Sequence, residues 1–560
     1  MDPVDALAAR APVAAALALA ALATRLPPGS LPEVPRDHCR WRDAALAVLA
    51  NAAVWMAFTV SAYGYNIDES FQAQHGRDLY DWYAGGRAAP FASDIAVMNH
   101  YGGFFELPAE AAARWLPFDA TLTRHAVTAL FALAGVAGAY GLAATLHSRA
   151  AGFLAVVFLL ATPRFLGHAF VNPKDVPFAS CMLLALLATA RALPRLPRLP
   201  LRHVLACGAA IGAAMGVRIG GVLALGLFGL GLAGWLATRA PGERLRAASL
   251  AGLAGSGLAV GAVAWLVMLA AWPWAQADPL LRPFQAIAYF RDIVATQQID
   301  FPVFYDGRLY RLSQIPRSYT LVWLAISLPE FVLAAPLAWP ALRAAWRRGL
   351  ARPGARGLAL ALVVALVAIA LASTADPGVI QYDGVRHFLF VLPPLAVLLA
   401  VGVAAGVARL GPRGRAAAVV WTASLWLLTV WDMGRLFPYE YTYFNRSVAG
   451  GQARAARSYE TDYLGLGYRE AVRWVVANVA PPPDRPLRIA ICKGWDASLA
   501  DALAAAGAPP DRYRGVPWNR PADVAVAITR ADCHRRFAGR PLAALGPAET
   551  PLVHVIALHR

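Results

Sequence analysis

The chain has 560 residues, 58% of them hydrophobic and only 15% charged, with a formal net charge of +17. Soluble proteins carry about a quarter charged residues, so this balance excludes an ordinary soluble fold and points to an integral membrane protein. The basic excess resembles a nucleic-acid footprint, but the arginines cluster in short loops between apolar runs, which argues for membrane orientation and against a nucleic-acid partner. Only Lys174 and Lys493 are lysines, and that bias, with abundant alanine, is the composition of a GC-rich bacterial genome.

Residues 1–43 form an N-terminal segment. Within it, 11–24 (APVAAALALAALAT) is apolar but short for a span at ~1.5 Å per residue. Asp2 and Asp5 stand where a signal peptide would be basic. The stretch reads as an interfacial helix or an over-extended start. About eleven apolar runs follow, near 44–62, 122–146, 150–163, 176–193, 203–217, 219–238, 247–272, 319–338, 357–374, 386–403 and 416–433. The third and fifth are short and read as tilted or partly buried in protein. Together the runs define a transmembrane domain over 44–433.

Arginine placement orients them. Arg36, Arg40 and Arg42 precede the first run, and Arg149 follows the second. Arg191, Arg195, Arg198 and Arg202 follow the fourth, and Arg239, Arg244 and Arg246 the sixth. Arg343, Arg347, Arg348, Arg352 and Arg356 follow the eighth, and Arg409, Arg413 and Arg415 the tenth. Every second loop is basic and is therefore expected in the cytoplasm. The alternate loops, and residues 434–560, are then expected on the periplasmic side of a bacterial inner membrane.

The outward loops hold the chemistry-bearing residues. Loop 63–121 opens with Asp68-Glu69, two adjacent carboxylates at the mouth of a span, an expensive placement without a role. Segments 69–83 and 106–116 within it have the pattern of amphipathic helices lying in the interface. Loop 163–177 gathers Arg164, His168, Asn172, Lys174 and Asp175, and Arg218 lies between two later runs. Loop 273–318 is long and aromatic. Loop 375–387 carries Tyr382 and Asp383 and ends in Arg386-His387 at the start of an apolar helix. Large outward loops point to a roofed cavity at that face. Glu330 falls inside the eighth run, where a carboxylate is unexpected, and reads as a helix-pairing partner for an arginine.

Residues 434–560 change character. The segment 468–479 has helical periodicity, 487–493, 523–529 and 551–558 read as buried strands, and 496–507 as an alanine-rich helix. The fold class is thus an all-α polytopic membrane domain with a small C-terminal periplasmic α/β domain. That domain has no glycine-rich phosphate loop and no catalytic triad. The five cysteines make no metal spacing. Cys492 and Cys533 either pair, if their region is periplasmic, or stay free; Cys181 and Cys207 fall in apolar runs as packing residues.

Four segments carry a family resemblance: Asp68-Glu69 after the first run, PRFLGHAFVNPKD (163–175), YDGVRHFLFVLPPLAV (382–397) and FPYEYTYFN (437–445). Together they resemble the integral-membrane glycosyltransferases of family 39, which include protein O-mannosyltransferases and lipid A aminoarabinose transferases with the C-type glycosyltransferase fold. The layout match covers roughly 40–450. The resemblance implies a sugar donor on a polyprenyl phosphate presented from the outer leaflet, with Asp68 as the catalytic carboxylate and Glu69 its motif neighbour. No segment matches the luminal module of eukaryotic protein mannosyltransferases, so the acceptor (lipid, glycan or protein) stays open.

Such a transfer needs a hydroxyl held in line with the anomeric carbon and a carboxylate to take its proton. Glu69 beside Asp68 would raise one of the two pKa values by like-charge repulsion. The departing lipid phosphate needs fixed cations, for which Lys174, Arg386 and His387 are the candidates, with Arg164 and Arg218 behind them. Asn172, Asp175, Tyr382, Asp383, Tyr443 and Asn445 are candidate substrate contacts. No residue is assigned as a metal ligand, and acidic residues leave divalent-metal dependence open. Each residue also has an ordinary reading. Asp68 fits a helix N-cap. Lys174 fits a pair with Asp175 or a headgroup contact. Tyr439, Tyr441 and Tyr443 fit an aromatic belt. A transporter or flippase of a lipid-linked or anionic substrate would use the same charges, but it commonly shows internal repeats and mid-membrane charges. Here no repeat is visible and the charges gather at one face.

Overall fold

The computed structural model describes residues 39–86, 90–238, 247–295, 300–334, 354–492, 496–547 and 550–558. The 11–24 stretch and the arginine-bearing segments 239–246 and 335–353 lie outside them.

Helix α1 (Cys39–Thr59) leads to the two amphipathic helices of the first long loop, α2 (Glu69–Ala84) and α3 (Glu106–Trp115). Then come α4 (Ala120–Leu146), α5 (Arg149–Leu160), the short α6 (Pro163–His168) and α7 (Asp175–Ala192). They are followed by α8 (Leu201–Val217), α9 (Val222–Ala237) and α10 (Ala247–Ala270). The second long loop holds α11 (Arg282–Ala295) and a hairpin of β1 (Pro302–Tyr305) and β2 (Arg308–Arg311). Helices α12 (Tyr319–Ser327), α13 (Glu330–Leu333), α14 (Ala355–Ser373), α15 (Leu392–Val407) and α16 (Pro412–Leu436) complete the helical part.

Among the described residues, 8 helices are long and apolar enough to cross a bilayer, which makes this a multi-pass membrane protein. The two runs that read as short fold as α5, of 12 residues, and α8, of 17. The eighth run breaks at Leu328-Pro329, where Leu328 turns extended. Pro329 offers no N–H and disfavours a helical residue before it. Burial separates centre from rim. The apolar stretch of α7 is 83% buried, whereas that of α1 is 17% buried and exposes Leu46, Val54 and Phe58. An exposed apolar face of that kind fits lipid. α4 approaches α7 closely at Gly135, where a Cβ would meet the Ser180 Oγ at 2.4 Å.

The hairpin turn was not legible as a strand pair by run length, although Asp306-Gly307 carries its signal. Both residues have positive φ (50° and 72°), as a two-residue mirror-image turn demands.

The C-terminal unit contains α17 (Gly467–Asn478), β3 (Leu487–Ile491), α18 (Asp496–Ala505), β4 (Tyr513–Val516), β5 (Val524–Ile528), β6 (Gly539–Leu545) and β7 (Val553–Leu558). Its sheet order is β4-β3-β5-β7-β6, parallel across β4-β3-β5 and antiparallel at β7 and β6. The three strands read from sequence are the central ones, whose apolar runs follow from burial. The two edge strands, β4 and β6, are half-exposed and carry no such run.

The expected boundary at 434 moves. Tyr439, Tyr441, Phe444, Tyr463 and Leu466 pack in the helical core, and the α/β core begins at Tyr468. The intervening segment is held by tyrosine hydroxyls on carboxylates: Tyr439 on the exposed Glu470 (2.8 Å), Tyr441 on the buried Asp462, and Tyr443 on the buried Glu330 (2.7 Å). Cys492 and Cys533 form a disulfide, while Cys181 and Cys207 are free and buried.

Candidate active site

Asp68 ends the turn that leads from α1 into α2. Its backbone N–H donates to the Asn66 side chain (2.9 Å), and the Asn66 amide donates to the Val171 carbonyl (2.9 Å). Asp68 occupies the N-cap position of α2 yet makes no capping hydrogen bond from its side chain. The capping reading therefore gives way. The carboxylate meets Arg386 Nη1 at 2.7 Å, with Arg386 nearly buried and Asp68 29% exposed.

A chain of alternating charges continues from that pair. Arg386 Nη2 lies 3.1 Å from Asp383 and donates to the Tyr382 hydroxyl at 3.3 Å. Asp383 is fully buried, has φ of 54°, and is also met by Arg530, whose Nη2 lies 2.9 Å from Oδ1 and 3.0 Å from Oδ2. Burial alone would push the Asp68 carboxyl up, but Arg386, Lys174 and Arg530 outweigh it and hold it at about 2.

The segment 172–175 acts as a corner at the start of α7. Asn172 Oδ1 accepts from the N–H of Asp175 (2.8 Å), the first residue of the helix, while its amide donates to the Asp175 carboxylate (2.9 Å). Asp175 also pairs with Arg218 at 2.8 Å. Lys174 thereby projects from the corner. It forms no ion pair among the described residues; its ammonium stands 4.6 Å over the Tyr101 ring. With the Gln72 amide turned so that its nitrogen meets Glu106 (2.8 Å), the Gln72 oxygen accepts from Lys174 Nζ at 3.2 Å. The expected Lys174–Asp175 pair is not formed, because Arg218 has taken Asp175.

Several expected site residues have other work. Glu69 turns away from Asp68: its Oε1 lies 2.7 Å from His125 Nε2, and it lines a separate cleft with Tyr65, Asn66, Ser70, Arg124 and Thr128. Cations govern the Asp68 carboxyl, so the expected upward push from Glu69 is replaced by a downward one. Arg164 is buried, donates to the Tyr463 hydroxyl (3.1 Å) and the Tyr443 carbonyl (2.8 Å), and stacks near Trp323 and Phe444. It is a core arginine. Asn445 fastens α12, donating to the Ala325 and Leu328 carbonyls at 2.7 and 2.9 Å. Tyr443 and Glu330 hold each other, and Glu330 takes the Arg446 backbone N–H (2.7 Å) instead of an arginine side chain. Tyr443 and Asn445 are thus scaffold residues, because both are buried with their polar atoms bonded inside the protein. His168 bridges Asn172 (3.0 Å) and the Tyr463 hydroxyl (2.9 Å), and burial holds its ring neutral, at about 3. His387 places Nδ1 3.3 Å from the Ile380 carbonyl and packs edge-on to Tyr382.

The residue that sequence reading missed is Arg530. It belongs to the C-terminal unit, 144 positions from Arg386 in the chain, reckoned as 530 minus 386. No local spacing connects the two.

Fold and site define a class: a multi-pass membrane protein whose loop-bearing face holds a partly exposed carboxylate paired with a buried guanidinium and under the field of an ammonium that has no carboxylate partner among the described residues. No protein-family model and no curated protein matches the chain. Among solved structures, the chain is similar to ArnT from Cupriavidus metallidurans bound to undecaprenyl phosphate, with 15% identity, 93% of this chain and 98% of that chain covered, and a TM-score of 0.48. It is also similar to the Archaeoglobus fulgidus oligosaccharyltransferase in the apo form, with 14% identity, 85% and 64% covered, and a TM-score of 0.49. A third is the mycobacterial arabinofuranosyltransferase AftD, with 17% identity, 94% and 42% covered, and a TM-score of 0.38.

Proposed function

We propose that the protein is a membrane glycosyltransferase that moves a sugar from a polyprenyl-phosphate donor to an acceptor hydroxyl at the periplasmic face, with Asp68 as base. One observation carries this reading: the Asp68 carboxylate, still partly exposed, lies 2.7 Å from Arg386 and under the field of Lys174, whose ammonium has no carboxylate partner among the described residues. An acid and two cations held together at the end of a membrane bundle suit a reaction whose nucleophile must lose a proton while its leaving group gains phosphate charge.

The acceptor oxygen attacks the anomeric carbon as the carbon–oxygen bond to phosphate breaks. The bonding pair leaves with the lipid phosphate, and the hydroxyl proton passes to Asp68. A single displacement inverts the anomeric centre. Lys174 and Arg386 receive the phosphate charge, and Arg218 keeps Asp175 from neutralising Lys174. A carboxyl at about 2 is a weak proton acceptor. Phosphate competing for Arg386 relieves it of its cation and raises its basicity where and when the donor is bound. The arginine distribution supports the periplasmic orientation.

The test uses purified protein in nanodiscs, labelled polyprenyl-phosphate sugars and membrane extract. Asp68→Asn should lower transfer by ~10²-fold or more while undecaprenyl phosphate still binds. Transfer that survives the substitution removes Asp68 from the role of base. Absence of transfer by the wild type with every donor refutes the reading.

A further inference from the structure

The base is gripped from the far end of the chain. Ile67, the residue before Asp68, is buried in the core of the α/β unit beside Tyr468 and Val553, and its N–H donates to the Leu464 carbonyl (2.9 Å). Arg469 of α17 donates to the Ser61 and Tyr63 carbonyls at 2.7 and 2.8 Å. At Gly64 a Cβ would stand 2.3 Å from the Leu466 carbonyl oxygen, so only glycine allows the approach.

The loop after β5 does more than pack. Arg530 begins it, with its side chain 11% exposed; it meets Asp383 at 2.9 Å and lies 5.4 Å over the Phe301 ring. Ala531 and Asp532 both hold positive φ (53° and 54°), a conformation costly for residues with a side chain and kept only where neighbours enforce it. The Ala531 N–H donates to Glu460 (2.8 Å), which also takes the Phe304 N–H of β1 (3.0 Å). The Thr529 hydroxyl meets that of Thr461 (2.6 Å) and accepts from the Asp462 N–H (3.2 Å). Cys533 is bonded to Cys492 at the end of β3. Two consecutive strained residues, a buried carboxylate anchor and a covalent bridge fix a loop whose leading side chain points at Asp383.

We propose that Arg530 is a positioning residue for the Asp68–Arg386 pair, delivered by the α/β unit on a loop held by the Cys492–Cys533 bridge. Asp383 has two cationic neighbours. Arg530 Nη2 meets both oxygens of that carboxylate (2.9 and 3.0 Å) and shares Oδ2 with Arg386, so Arg386 is drawn to it through Nη2 only and keeps Nη1 for Asp68. Without Arg530 the buried Asp383 claims both amino groups of Arg386, and Asp68 loses its partner. The purpose assigned to the pair rests on the transferase reading; the geometry does not.

The experiment therefore reads Asp68 directly and needs no sugar donor. Full-length protein in nanodiscs is treated with a carbodiimide at pH 6, and labelling of Asp68, which requires an unpaired or protonated carboxyl, is followed by peptide mass spectrometry. Arg530→Gln keeps the length and removes the charge; it should label at least threefold faster than wild type, with Arg530→Lys returning towards the wild-type rate. The double variant Cys492→Ser/Cys533→Ser, which frees the loop, should also label faster. Where transfer is measurable, Arg530→Gln should lower kcat more than it raises KM for the donor. Wild-type labelling in a folded Arg530→Gln protein overturns the proposal. If that variant does not fold, wild-type labelling of the double cysteine variant overturns it. A wild type that labels as expected but transfers nothing refutes the transferase reading alone.

Discussion

At the scale of single residues, proximity in sequence misleads and proximity in space decides. Asp68 and Glu69 are neighbours in the chain, yet one faces Arg386 and the other His125. At the start of a helix, consecutive side chains diverge by about 100° at 3.6 residues per turn, so an adjacent pair serves two environments. The Asp68 carboxyl at about 2 has a consequence for pH. It is ionised throughout the working range, so kcat/KM should show no acid limb from this group above about pH 4, while kcat, which reports the donor-bound state, should show one at higher pH. Arg386→Gln removes the dominant cation and raises the folded pKa. The variant's carboxyl therefore takes up its proton at higher pH than the wild type's, and its activity relative to wild type should fall further as pH is lowered. Matched pH profiles of the two proteins check this, and parallel profiles would contradict it.

At the scale of elements, the corner at 172–175 shows how a short motif builds a site. Asn172 bonds the first N–H of α7 and orients Asp175; Pro173 disfavours a helical residue before it; Asp175 engages Arg218; Lys174 is left projecting. Asn172→Ala should cost about 1 kcal/mol of stability through the hydrogen bonds lost to Asp175. It should also raise KM for the donor, since Lys174 is no longer aimed. A thermal melt and a donor titration measure the two effects separately, and a change in stability without a change in KM would make the corner purely architectural. The FPYEYTYFN segment shows the opposite case. Its tyrosines looked like a belt or a sugar platform, but Tyr441 and Tyr443 are buried with hydroxyls on Asp462 and Glu330. Their role is to fasten 437–466 to the helical core, because buried hydroxyls are kept where they find partners.

At the scale of the whole molecule, helical part and α/β unit share one site. Ile67 packs in the α/β core and Arg530 reaches back to Asp383, so neither unit presents the charge chain by itself. The disulfide in the α/β unit fits an oxidising compartment. That agrees with the orientation expected from the basic loops. A reporter fused after residue 558 should be active only outside the cytoplasm; activity of a cytoplasmic reporter at the same position would reverse the orientation and move the proposed site with it.

The amino-acid sequence by itself determined the membrane character, most of the helices and the central strands, because long apolar runs and their arginine-rich borders are local patterns set by the cost of placing charge in lipid. It also marked Asp68, Lys174 and Arg386, since charges at span ends are conspicuous against that background. Only the tertiary structure decided which of these charges meet. It turned Glu69 aside, took Arg164 into the core, broke the eighth run at Pro329 and brought Arg530 to Asp383. Ion pairing depends on distances of a few ångströms between residues hundreds of positions apart, and no periodicity or spacing along the chain encodes them.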